Sequence, residues 1–90
     1  MEKTTKIEGM IAYIQDRLDG SFGARHYITQ EGHAFTIFRR VREHMYVSYS
    51  ISENLVREMI KSEYLRDDVM ERIRINLNEG EREFLRSLIR

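Results

Sequence analysis

The chain has 90 residues, and its 15 lysines and arginines are balanced by 15 aspartates and glutamates, so the formal net charge is zero. This length predicts one domain, and a hydrophobic fraction of 41% without net charge argues against intrinsic disorder. Charge balance also disfavours a dedicated nucleic-acid binder, which needs a basic surplus to neutralise phosphates. The absence of cysteine excludes disulfides, thiolate metal sites and a cysteine nucleophile.

No apolar run approaches the roughly 18 residues of a membrane span. The residues that follow Met1 contain no hydrophobic region typical of a signal peptide. We therefore expect residues 1–90 to form a single α+β domain that is small, soluble and cytoplasmic and has no contact with a membrane.

Residues 6–19 have the periodicity of an amphipathic helix. Apolar side chains recur there at spacings of three and four residues, which places them on one stripe. They are Ile7, Met10, Ile11, Ile14 and Leu18. Gly20 is suited to the left-handed position that follows a helix, so we expect the helix to end there.

Residues 22–51 alternate between apolar and polar side chains, which is the two-residue period of strands. A two-residue turn at 31–32 pairs Ile28 with Phe35. Opposed residues share a face of a sheet, so this register keeps the apolar side chains together.

The second hairpin needs a longer connection. A two-residue loop would place Ile37 opposite Ser48 and mix the apolar face with the polar one. A three-residue loop at 42–44 pairs Ile37 with Tyr49 instead, and we prefer it. The two hairpins together predict a three-stranded antiparallel meander.

Helical periodicity returns after the third strand. Ser52 is a suitable N-cap for a helix over 52–63. The adjacent acids Asp67 and Asp68 are typical of the start of another helix, where carboxylates complement the helix dipole.

The last third of the chain is less definite. Asn78 and Glu81 suit the cap of a final helix, whereas residues 72–77 alternate like a strand, so helix and strand both remain open for that segment. The predicted fold is α+β: an α-β-β-β-α meander with helices on one face of a three-stranded antiparallel sheet, followed by one or two C-terminal helices.

The three histidines do not form a metal site in this topology. His33 and His44 lie at opposite ends of the second strand, roughly 27 Å apart at the usual rise per residue, and His26 points to the inner face. The sequence also lacks a nucleophile elbow, a phosphate-binding glycine loop and a paired metal-ligand motif. We expect no enzymatic activity, no cofactor and no metal.

The outer face of the predicted sheet combines aromatic and basic side chains. The residues are Arg25, Tyr27, Phe38, Arg40 and Tyr46, with Arg25 opposite Phe38 in the predicted register. Such a face is typical of a protein interface, and it also suits single-stranded nucleic acid, whose bases stack on rings. A third interpretation is that the last helix folds back over it.

The C-terminal half carries more apolar residues than one small sheet and two helices can cover, which favours a homodimer. They are Tyr64, Leu65, Val69, Met70, Ile73, Ile75, Leu77, Phe84, Leu85, Leu88 and Ile89. We therefore predict an interaction or regulatory module that acts through protein–protein contact, as a homodimer or on a partner protein. The alternative is a nucleic-acid-binding module that uses the outer face.

The order helix, three antiparallel strands, helix over residues 6–63 resembles the double-stranded-RNA-binding domain and, similarly, the small mRNA-cleaving toxins of bacterial toxin–antitoxin pairs. The resemblance implies an α-β-β-β-α fold and contact with RNA. This chain has Ser52-Glu-Asn-Leu-Val-Arg57 where the RNA-binding family has a lysine-rich start to its second helix. Gly32-His33 corresponds to the glycine and histidine that the toxin family places at its hairpin. Neither family supplies site residues for this chain.

Overall fold

The computed structural model describes the backbone of residues 2–89 and the side chains of residues 6–89. Its elements are α1 (Glu2–Phe22), β1 (His26–Glu31), β2 (Ala34–Arg42), β3 (Met45–Ser52), α2 (Glu53–Lys61) and α3 (Glu63–Leu88). This order confirms the predicted α+β meander, followed by one C-terminal helix. None of the described helices is long and apolar enough to cross a bilayer.

The helix α1 extends beyond the predicted bounds of 6–19. It ends at Phe22, and the left-handed residue that follows is Gly23, with a φ of 88°, not Gly20. The amide of Gly23 donates to the carbonyl oxygen of Asp19 at 2.8 Å, which completes the last turn. The prediction chose the wrong one of two glycines, because both stand where a helix could end.

The sheet is antiparallel, with strand order β1-β2-β3. The predicted pairing of Ile37 with Tyr49 is confirmed. The connection is shorter than the predicted three residues, because Arg42 pairs with Met45 and β2 accommodates Val41 as one extra residue in a bulge. A bulge in one strand compensates for a residue removed from the loop, so the two arrangements give the same register beyond the bulge.

The register of the first hairpin differs from the prediction. Glu31 pairs with Ala34 and Ile28 pairs with Ile37, not with Phe35. Gly32 has a φ of 60°, and a turn that needs positive φ at its first position favours glycine there, so the turn is Gly32 and His33. A shift of two residues leaves each side chain on its predicted face but changes its neighbour across the strands.

The hydrophobic core lies between the inner face of the sheet and the three helices. Ile37 in the central strand is fully buried, as predicted. The other buried apolar residues are Met10, Ile14, Leu18, Phe35, Ile51, Val56, Met59, Val69, Met70, Ile73 and Leu77. Because these residues come from all three helices and from the sheet, the elements form one packed unit.

The long helix α3 decides the segment that the sequence left open. Residues 72–77 are helical, since Ile73 and Leu77 are buried four residues apart on one stripe. The helix begins at Glu63, where the hydroxyl of Ser62 accepts from the amide of Leu65 at 3.2 Å. The predicted helix starts at 67–68 and near 78 are therefore wrong.

Candidate functional site

Three aromatic side chains of the outer face form one group, here called the aromatic cluster: Tyr27, Phe38 and Tyr46. The rings of Tyr27 and Phe38 are stacked, with centroids 4.8 Å apart and planes at 14°. The ring of Tyr46 stands edge-on to both, with centroids 5.6 Å from Tyr27 and 6.4 Å from Phe38. The sheet thus brings together three of the five predicted contact residues.

Strand pairing explains this grouping. Tyr27 on β1 lies directly opposite Phe38 on β2, and Phe38 lies opposite Ser48 on β3. Tyr46 pairs with Arg40, one step along the same face. The predicted opposition of Arg25 to Phe38 is wrong because of the shifted first hairpin, and Tyr27 takes that place.

The helix α3 does not cover the aromatic cluster. It packs on the inner face, where a Cβ at Gly80 would lie 3.4 Å from Val47. Tyr27 and Tyr46 remain 42% and 44% exposed, and Phe38 is half-buried between them. Of the alternatives that the sequence left open, cover by the described part of the last helix is excluded.

The orientation of the rings limits what they can bind. The 4.8 Å between the centroids of Tyr27 and Phe38 equals the usual spacing of neighbouring strands. The two rings therefore face each other across the strands. A nucleobase stacks on an open ring face, and these two rings use facing surfaces on each other.

The two arginines of the predicted surface have different environments. The guanidinium of Arg25 donates to the carbonyl oxygens of Phe22 at 3.0 Å and Arg40 at 3.2 Å, and it forms a salt bridge with Glu81 of α3 at 2.9 Å. Arg25 therefore ties the sheet to α3. The side chain of Arg40 is exposed beside the aromatic cluster.

A shallow cleft of about 310 Å³ connects the aromatic cluster with the end of α1. It contains four of the five predicted contact residues, and Phe38 is the one outside it. The lining residues are Gln15, Asp19, Ala24, Arg25, His26, Tyr27, Arg40 and Tyr46.

Arg39 is a buried charge that sequence reasoning missed. It is fully buried on the inner face. Its Nη1 donates to the side-chain oxygens of Asn78 at 2.7 Å and Glu81 at 3.1 Å, and its guanidinium lies 4.3 Å from the ring centroid of Phe22. Its Nη2 is buried and has no hydrogen-bond partner among the described residues. The alternation of β2 contained the signal, since position 39 lies on the same face as Ile37.

His26 joins Arg39 to α1. The Nε of Arg39 donates to Nε2 of His26 at 2.8 Å, so the ring proton is on Nδ1, which donates to Asp19 Oδ1 at 2.7 Å. Burial, together with the positive charges of Arg39 and Arg25, lowers the pKa of His26 below its ordinary 6.5, and Asp19 only partly opposes this. The ring of His26 is therefore neutral, and through Asp19 and Arg39 it links α1, β1, β2 and α3.

Two arginines of this network share one carboxylate. Arg25 and Arg39 are both paired with Glu81, and hydrogen bonds from Arg25 first, and then from Arg39, lower the pKa of that carboxyl. Glu81 stays ionised at neutral pH as the counter-ion of a fully buried guanidinium. The prediction had assigned Glu81 to a helix cap, and its position within α3 excludes that.

The histidines lie in three separate places. His26 is buried, whereas His33 and His44 are exposed in different turns. No group of three potential metal ligands occurs among the described residues. The expected absence of a metal site stays a prediction.

The apolar surplus of the C-terminal half is smaller than the sequence suggested. Val69, Met70, Ile73 and Leu77 belong to the chain's own core. The exposed members of the predicted set are Tyr64, Ile75, Leu85, Leu88 and Ile89. A dimer through this half therefore stays a prediction, with a smaller apolar surface than expected because α3 packs on the sheet of its own chain.

Comparisons with protein-family models, with curated proteins and with solved structures found no significant match to this chain.

Proposed function

We propose that this chain is a small interaction module that acts through protein–protein contact as a homodimer, and that its outer sheet face is the contact surface for a partner protein. The observation that carries this proposal is the aromatic cluster, which three strands build on a face that no described helix covers. Aromatic side chains supply much contact area with little loss of rotamer freedom, and they are enriched among the residues that dominate protein interfaces.

The surroundings of the cluster also suit a protein. Along the same face lie the small polar residues Thr36, Ser48 and Ser50, and the hydroxyls of Thr36 and Ser50 are 3.0 Å apart. A patch with an aromatic centre and a neutral polar surround has the composition of the core and rim of an interface. Arg40 adds one exposed charge at the border of the patch.

Binding of nucleic acid is the alternative, and Arg40 beside Tyr46 is the observation in its favour. Three features count against it. The rings of Tyr27 and Phe38 stack on each other, and Arg25 is engaged by Glu81. The chain as a whole has no basic surplus for counterion release.

The test uses the full chain as immobilised bait in a nuclease-treated extract of its source cells. We compare wild type with Phe38→Ala, and with Thr29→Ala as a matched control on the same face outside the cluster. We expect specific proteins on wild type and on Thr29→Ala at both low and high salt, and their loss from Phe38→Ala. Circular dichroism and urea denaturation verify that each variant is folded, and Tyr46→Ser replaces Phe38→Ala if the latter does not fold.

Two results contradict the proposal. In the first, no protein is retained, or the same proteins stay on all variants. In the second, the extract is not treated with nuclease and the retained material is nucleic acid. Salt releases this material, and Arg40→Glu abolishes its binding. That outcome establishes the alternative, because phosphate contacts make the binding of nucleic acid steeply dependent on salt.

A further inference from the structure

The two edges of the sheet differ in how their outward backbone groups are hydrogen-bonded. At the β1 edge, two side chains of α1 occupy the outward backbone groups of His26. Asp19 accepts from the backbone amide at 3.1 Å, and Gln15 donates to the carbonyl oxygen at 3.0 Å. Side chains thus take hydrogen bonds that another strand would otherwise make there.

The backbone directions at the β3 edge follow from one hydrogen bond. The amide of Arg40 donates to the carbonyl of Arg25 at 2.9 Å, so Arg40 directs its backbone groups toward β1. Neighbouring residues of a strand alternate in direction. Residues 35, 37 and 39 therefore bond to β3, and their partners 47, 49 and 51 bond back to β2. The remaining residues of β3, Tyr46, Ser48 and Ser50, direct their backbone groups away from the sheet.

Nothing in the composition of β3 protects this edge. Its eight residues, Met45–Ser52, contain no charge, no proline and no glycine. Natural proteins usually protect an edge with lysine, proline, a bulge or a covering segment. The bulge of this sheet affects β2, and no described side chain or loop bonds to the outward backbone groups of Tyr46, Ser48 or Ser50.

We propose that the β3 edge pairs with the β3 edge of a second copy, antiparallel about a two-fold axis at Ser48, so that two sheets join into one continuous six-stranded sheet. This inference rests on the proposed homodimer and names its interface. Ser48 directs its backbone groups outward and can form a hydrogen-bonded pair with Ser48 of the partner subunit.

The register is self-complementary on both faces. On the outer face Tyr46 lies opposite Ser50 of the partner subunit, and on the inner face Val47 lies opposite Tyr49 of the partner subunit. A charged residue close to a two-fold axis meets its own copy and repels it, and β3 has none. Pairing also joins the two outer faces, so both aromatic clusters lie on one surface.

The test measures the mass of the full chain by sedimentation over a range of concentrations. Hydrogen exchange of individual amides is followed by NMR in the same samples. We expect a dimer in which the amides of Tyr46, Ser48 and Ser50 exchange more slowly as concentration rises. A monomer at every concentration overturns the inference, and so does a dimer in which these three amides exchange as fast as in the monomer.

Charge variants at Ser48 test the position of the axis. Ser48 is exposed, so Ser48→Lys leaves the fold intact, and like charges about 5 Å apart should weaken self-association about tenfold or more. Ser48→Glu should do the same, and an equimolar mixture of the two variants should recover the dimer. Ser48→Ala is the matched control and should dimerise like wild type. Failure of the mixture to recover the dimer contradicts pairing about Ser48.

The two proposals fail separately. Phe38→Ala removes a ring from the outer face, away from the edge, so it should abolish partner capture and leave the sedimentation of the dimer unchanged. Ser48→Lys should weaken the dimer, so that sedimentation shows more monomer. If Phe38→Ala alone dissociates the dimer, the copies meet through their outer faces and the edge pairing is wrong.

Discussion

Replacing Arg39 by methionine should cost less stability than replacing its counter-ion Glu81 by glutamine. Arg39 is fully buried and Glu81 is about one-fifth exposed, with 3.1 Å between Nη1 and Oε1. A buried ion pair gains Coulomb energy but loses the hydration of both groups. Removal of Glu81 leaves the charge of the buried Arg39 uncompensated, whereas removal of Arg39 leaves Glu81 paired with Arg25.

The magnitudes follow from the contacts. Arg39→Met retains an apolar chain over the Phe22 ring but leaves Nε2 of His26 and the side chain of Asn78 without a donor. The relief of desolvation opposes this loss, so we expect a net cost of about 1–2 kcal/mol. Glu81→Gln leaves the charge of Arg39 in the core. Because Glu81 is partly exposed, we expect the low end of the range for broken buried pairs, about 3 kcal/mol.

Urea denaturation followed by circular dichroism measures both costs, and Arg39→Met/Glu81→Gln supplies the coupling. We expect the double variant to be more stable than Glu81→Gln alone, because the unpaired charge is no longer present. A loss of about 3 kcal/mol is a large share of the stability of a small domain, so the difference is measurable. If Arg39→Met proves more costly than Glu81→Gln, the buried arginine stabilises the fold by its contacts and our reasoning is refuted.

Two further predictions concern the same core. The pKa of His26 is lowered in the folded chain, so at a pH between that value and the ordinary 6.5 the unfolded chain binds one more proton. Stability should therefore fall as the pH drops below about 6.5. Urea midpoints at pH 7 and pH 5.5 should differ more for wild type than for His26→Gln, and equal differences would contradict the assignment. Ile37→Ala should lower the free energy of unfolding by about 2–4 kcal/mol, since the side chain is fully buried in the central strand. Thr29→Ala is the control and should have little effect. A small cost at Ile37 would show that the core collapses into the cavity.

The fold was largely predictable because each element carries its own period. Alternation identified the three strands and the face of each residue, and the three- and four-residue spacing identified α1 and α2. The N-cap at Ser52 was also predictable, and it is confirmed, because the hydroxyl of Ser52 accepts from the amide of Leu55 at 3.1 Å. Local patterns of this kind act over a few residues and need no knowledge of the tertiary structure.

The errors share a cause. The turn after β1 was placed one residue early, because Glu31-Gly32 and Gly32-His33 both offer a glycine, and only the backbone conformation decides which position needs a φ of 60°. The continuity of α3 depends on burial of Ile73 and Leu77 against the rest of the core. Tertiary packing overrode the local signals at 67–68 and at 78.

Arg39 shows where the sequence contained information that pattern reading discards. An arginine in register with Ile37 contradicts the rule that inward residues are apolar, so it is easily treated as noise. Its burial becomes understandable only when Glu81, 42 residues away in the chain, is brought beside it. A long-range charge pair of this kind leaves no local period.

The distribution of charge connects the fold to the proposed contacts. A third of the residues are charged, yet β3 has none, and the outer face around Phe38 has Arg40 at its border. Folding alone does not require this, because an edge strand and a solvent-facing sheet tolerate lysine and glutamate, and natural proteins usually place charged residues on an exposed edge. The stretch from Met45 to Ser52 is therefore uncharged where charge would have protected a monomer. The contacts proposed above, with a second copy along the edge and with a partner protein across the face, would account for both exceptions.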